Sequence, residues 1–127
     1  MKQRDCFFNK SAPGIPSHLW VVLSDPAIDP DNVVIVNLTD SNSHHDHSCL
    51  LNASDHSGVF TKPSCIAYQF AKVTSVAVVT QALKQGLLRA KKPVPTAAFQ
   101  KIINGAQETD ELRNAPREIL REQLLIS

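Results

Sequence analysis

Leu19-Trp-Val-Val-Leu23 and Asn32-Val-Val-Ile-Val-Asn-Leu38 decide the fold class. Both are short, apolar and rich in β-branched residues, and turn residues bound them. Such runs read as buried strands rather than helices. The segment between them, Asp25-Pro-Ala-Ile-Asp-Pro-Asp-Asn32, holds two prolines and three aspartates and reads as a turn. Further along, Ser48-Cys-Leu-Leu51 and Cys65-Ile-Ala-Tyr-Gln-Phe70 extend the strand region. Ile66, Tyr68 and Phe70 alternate with Ala67 and Gln69, the pattern of a strand with one wetter face. Trp20 and Phe70 are expected in the core, and Tyr68 half in it, its hydroxyl at a polar rim.

Beyond residue 74 the period changes. Val76, Val79, Leu83 and Leu87 follow a helical spacing, with Thr74 or Ser75 as the cap. Lys91-Lys92-Pro93-Val-Pro95 breaks the chain. A short helix then carries Phe99, Ile102 and Ile103 on one face, with Thr96 as its cap and Gly105 as its stop. A last helix is expected over about 109–125, kinked or restarted at Pro116, with Asn114 as the new cap. Strands first and helices after is the α+β pattern. The 127 residues fit a single domain, strand-rich over 14–74 and helical over 75–127.

Composition excludes several classes. No stretch approaches the about 20 apolar residues that cross a bilayer, and the N-terminal residues have no signal-peptide core. The three cysteines, Cys6, Cys49 and Cys65, form no CxxC pair and read as reduced thiols of a cytoplasmic protein. The four glycines, at 14, 58, 86 and 105, make no phosphate-cradling loop, which argues against a nucleotide-binding α/β fold. The net charge of +1 hides two opposed halves. Residues 1–70 carry four Lys or Arg against seven acids, and residues 71–127 carry nine against five. Lys72 to Gln107 contains no acid at all, whereas all five histidines precede residue 57.

Candidate chemistry sits in the acidic half. His44, Asp46 and His47, with His45 between them, are of metal-ligand type. They fall in a predicted loop without HExxH or CxxC spacing, so a solvated histidine-rich loop is favoured and no metal or cofactor is assigned. His56 lies in the turn Asn52-Ala-Ser-Asp-His-Ser-Gly58, which leads through Lys62 and Ser64 to the strand of Tyr68. A histidine beside a cation and hydroxyls suits proton transfer to and from an anionic phosphate. A capping His–Asp pair with a solvated Lys is the plainer reading. His18 stands at the mouth of the first strong strand, as a catalytic or a structural histidine. Lys84, Arg89, Lys91, Lys92 and Lys101 form a basic set suited to phosphates. Only Phe99 interrupts that segment with an aromatic ring, so base stacking is not indicated. Its partner is RNA, DNA or an acidic protein segment, unless these residues are simply a solvated helix face.

Pro16-Ser-His-Leu-Trp-Val-Val-Leu-Ser-Asp25, followed by a turn and Asn32-Val-Val-Ile-Val-Asn-Leu-Thr39, resembles the central strands of the MazF/PemK-like toxins. Lys62-Pro-Ser-Cys-Ile-Ala-Tyr-Gln-Phe70 is similar to a later strand of that family, and the resemblance spans about residues 14–80. It implies a small SH3-like β-barrel with C-terminal helices, commonly dimeric. It further implies metal-independent cleavage of single-stranded RNA and an antitoxin protein as partner. Thr39 falls at the family's strand-end hydroxyl, and His18 stands near its catalytic Arg. Asp5-Cys-Phe-Phe8 replaces the family's opening Gly-Asp strand, and the tail beyond residue 90 is longer.

Two functions from different classes follow. In a toxin-type endoribonuclease, His18 and His56 act as base and acid, Lys62 stabilises charge, and Thr39, Ser64 or Tyr68 orient the phosphate. In a non-catalytic small-barrel module, the 84–101 segment binds nucleic acid or protein. A metal-dependent hydrolase built on His44–His47 is a third, weaker reading. Leu120, Leu124, Leu125 and Ile126 on the tail suggest a homodimer.

Overall fold

A computed structural model describes residues 1–9 and 17–127. Residues 10–16, where the expected barrel begins and where Lys10 and Gly14 fall, lie outside the described residues. Among the described residues the protein is α+β, with a seven-stranded antiparallel sheet and three helices.

The strands are β1 (Cys6–Asn9), β2 (Leu19–Val22), β3 (Asn32–Asp40), β4 (Leu50–Leu51), β5 (Ser64–Ile66), β6 (Lys72–Ser75) and β7 (Leu88–Lys91). Their order is β4-β5-β3-β2-β1-β7, and β6 pairs with β3 beside β5. The nine residues of β3 thus serve two neighbours, Asn32–Ile35 pairing with β6 and Leu38–Asp40 with β5. The turn before β3 forms as its composition demands. The Asp25 carboxylate accepts from the Ala27 N–H, and that of Asp29 accepts from Asp31 and Asn32.

The unbroken apolar runs of β2 and β3 have a simple cause, because both faces of the sheet are covered. Val21, Leu23, Val34, Val36 and Leu38 enter a large core with helices α2 (Thr96–Glu108) and α3 (Asn114–Glu122). Phe7, Val22, Val33 and Ile35 point the other way, against Val79 of helix α1 (Val76–Lys84). Ser75 caps α1 through the Val78 N–H. The helix ends where Gly86, at φ +74°, lets Leu87 and Gly86 donate back to Ala82 and Leu83.

Several local expectations are corrected. The strand holding Cys65 stops at Ile66, and a 3-10 turn follows over Tyr68–Phe70. That turn breaks the alternation, so Tyr68 is fully buried and Phe70 is exposed. Gly105 does not stop α2 but lies within it. A Cβ there would overlap the Tyr68 hydroxyl and come within 2.7 Å of Cys49 Cβ, so glycine is the residue that lets α2 close on the sheet. Pro116 sits in the first turn of α3, where proline is tolerated, so the last helix begins only at Asn114, with Arg113 rather than Asn114 at the cap position, just as Pro95 rather than Thr96 precedes α2. Strand β7 lies inside the segment expected to be helical, held by pairing with β1. Leu120 and Ile126 are buried in the core and Leu125 packs against it. Of the four residues that suggested a pairing surface, only Leu124 is exposed.

Among the described residues, no helix is long and apolar enough to cross a membrane.

Candidate functional site

Where β1 ends, β2 begins and β3 ends, the sheet opens into a pocket of about 330 Å3. Phe8, Leu19, Leu38 and Phe60 form its apolar wall. His18, Thr39, Asp40, Lys62 and Ser64 supply its polar groups. Four of the six residues proposed from sequence as catalytic therefore share one pocket, although they are scattered over more than forty positions of the chain.

Strand pairing produces this convergence. Asp40 lies opposite Ser64 in the β3–β5 ladder, with Thr39 opposite Cys65. The Ser64 hydroxyl donates to the Lys62 carbonyl at 3.0 Å and fixes the backbone that carries the lysine. Lys62 Nζ stands 3.5 Å from Asp40 Oδ2. The bond from the Asn42 N–H, with Lys62 nearby, holds the Asp40 carboxyl below its ordinary value. The lysine charge is thus partly answered within the pocket. The sequence reading missed Asp40, although it directly follows Thr39 on the same strand.

His18 is positioned from both sides. Its backbone N–H donates to Asn9 Oδ1 at 2.9 Å. Its ring Nδ1 lies 3.3 Å from the Leu38 carbonyl. A carbonyl only accepts, so Nδ1 carries the proton and Nε2 of the neutral ring is left as the proton acceptor.

His18 also lines a second, mostly apolar pocket of about 410 Å3 between the sheet and α1. Trp20 stands in its wall, donating from Nε1 to Asn9 Oδ1 at 3.1 Å, with Lys72 Nζ 4.8 Å from the ring centre. Val78 and Leu87 carry this apolar surface out to solvent.

The other proposed site residues do not join the His18 pocket. His56 is buried, its Nε2 donates to the Lys92 carbonyl at 2.8 Å, and its ring meets the edge of Phe60. It ties the 52–63 loop to the chain after β7, so an acid–base pair with His18 is not assembled in this pocket. Tyr68 donates to the Ile102 carbonyl at 2.7 Å, and burial pushes its hydroxyl far above its ordinary value. It is a core anchor for α2. The cysteines are likewise core residues, and burial raises the Cys6 and Cys49 thiols to about 12.

The basic set is divided. Arg89 and Lys91 project from one face of the edge strand β7, opposite Phe8 and Cys6 of β1. Arg89 thereby neighbours a residue of the pocket wall. Lys91 and Lys92 line a shallow hollow of about 300 Å3 with Gly58 and Val59. Lys84 ends α1, on the other side of the sheet. Lys101 is paired with Asp55 at 2.7 Å.

No protein-family model and no characterised protein matches the sequence of this chain.

Proposed function

We propose that the His18 pocket binds a phosphodiester and that the protein is a toxin-type endoribonuclease acting on single-stranded RNA. The observation that carries this is the convergence of His18, Lys62, Thr39 and Ser64 on one pocket beside a basic edge strand. RNA brings its own nucleophile. The 2′-hydroxyl gives its proton to His18 Nε2 and its oxygen bonds to phosphorus. The bond to the 5′-oxygen breaks, a 2′,3′-cyclic phosphate forms, and the departing oxygen takes a proton from water. Lys62 faces the charge that builds on the non-bridging oxygens, Thr39 donates to them, and Ser64 positions the lysine through its bond to the Lys62 carbonyl. None of these steps draws on a metal.

The same reading takes the sheet as a small SH3-like barrel of the MazF/PemK type, with RNA and an antitoxin as partners and a homodimer as the assembly. Support for the barrel comes from β3, which pairs with both β5 and β6, and from α1, which packs on both β6 and β7.

The test is cleavage of a mixed-sequence RNA oligonucleotide in EDTA. The His18→Ala variant is expected to lose about 10²–10⁴-fold in rate, with Tyr68→Phe unchanged. No cleavage by the native protein, or full activity in His18→Ala, overturns the reading.

The exposed basic edge strand favours one alternative, a non-catalytic module that binds an anionic partner along β7. In that case Arg89→Glu with Lys91→Glu abolishes RNA binding, while His18→Ala leaves it intact.

A further inference from the structure

We propose that His44, His45 and Glu111 form a binding site for one divalent ion of the zinc type. One ligand atom from each residue lies within 4.8 Å of the other two. Two imidazoles and a carboxylate are a zinc donor set that leaves a fourth position open. Around a tetrahedral ion such atoms sit roughly 3.4 Å apart. The His45 side chain is 65% exposed and so is free to adjust to an ion.

An independent observation points to the same place. Among the described residues, three buried side-chain polar atoms have no hydrogen-bond partner in the protein, and two of them are His44 Nε2 and Glu111 Oε2. Burying such atoms costs solvation without return unless something else binds them. An ion held by both would supply that return. The remaining carboxylate oxygen of Glu111 already meets His45 Nε2.

The two halves of the site are also fixed to each other. The Thr109 hydroxyl donates to Asp46 Oδ2 at 2.7 Å and accepts from the Glu111 N–H at 3.1 Å. Thr109 is buried, so one hydroxyl holds the histidine loop against the connection between α2 and α3. His47 turns away to the Ser41 carbonyl at 2.8 Å and is not a ligand. None of these residues lines the His18 pocket, so this site stands or falls separately from RNA cleavage.

The test is titration of the full chain, without a histidine tag, with Zn2+ by calorimetry and with Co2+ by visible absorption. The expected result is one ion per chain with the spectrum of four-coordinate cobalt. Glu111→Gln and His44→Ala should each weaken binding by roughly 100-fold or more, and Thr109→Ala by about 10-fold. His47→Ala should bind as the native chain does. Circular dichroism melts of each variant show whether it remains folded. Less than one ion per chain, no effect of Glu111→Gln, or equal losses in His44→Ala and His47→Ala would overturn the site in favour of loose chelation by a histidine-rich loop.

Discussion

The face of the sheet under α2 and α3 and the face under α1 are built from alternate residues of the same strands, yet they are covered to different degrees. Under α2 and α3, Val21, Leu23, Val34 and Val36 pack with Ile102, Ala106 and Leu120, all essentially inaccessible to solvent. Under α1, a helix of nine residues buries only Val79 of its own, and an apolar pocket remains around Trp20. The difference teaches where function can sit. The sealed face stabilises the fold, and His18 lies at the strand ends where the two faces meet, between a pocket walled by Leu38 and Phe60 of the sealed side and the apolar pocket under α1.

The contrast predicts unequal costs for core truncation. Ile102→Ala on the sealed face should cost about 2–5 kcal/mol. Val79→Ala under α1 should cost about 1.5 kcal/mol, from two methyl groups at about 0.8 kcal/mol each. Urea unfolding of both variants measures this, and equal losses would break the comparison. Gly105→Ala should cost about 1–3 kcal/mol, because the new methyl displaces Tyr68 or Cys49 and lifts α2. A Tm equal to the native protein would show that the sealed face tolerates overpacking.

Smaller effects come from the edges. Leu124, at φ +60°, ends α3 in a conformation that strains a side chain with a Cβ. Leu124→Gly should stabilise by up to about 1 kcal/mol, visible as a raised Tm, since this leucine is exposed and buries nothing. The smallest effect is on pH dependence. Despite their partial burial, Asp46 is held below 3.8 by Ser48 and Thr109, and Asp55 by Lys101 and the Asn52 N–H. Their stabilisation is complete above the unfolded value of 3.8 and disappears as pH falls through the lower folded values. The Asp55 pair is half exposed on the lysine side, so it contributes no more than about 1 kcal/mol. Acid titration of Asp55→Asn should show a flatter decline than the native chain.

Much of the fold was legible in the sequence because its signals are local. The runs of β2 and β3, the Asp–Pro turn and the Ser75 cap each follow from a few neighbouring residues. The missed elements are those that pairing creates. Leu88-Arg-Ala-Lys91 has no strong strand preference and becomes β7 by hydrogen bonding to β1. His56 was proposed as catalytic because turn histidines beside Lys and Ser carry that chemistry. Nothing local told that the Lys92 carbonyl would claim its ring. Glu111 was missed for the same reason, since it lies 66 positions from the histidine it meets.

The sequence by itself determined the strands β2 and β3, the helices α1 and α2, and which side chains carry proton-transfer or metal-ligand chemistry, because periodicity, turns and side-chain type are properties of short stretches. Only the tertiary structure decided which of those side chains meet. Strand register placed Asp40 beside Ser64 and Lys62, and the docking of α2 and α3 brought Glu111 to His44 and His45. Contacts across tens of residues depend on pairing and packing, which no local pattern encodes.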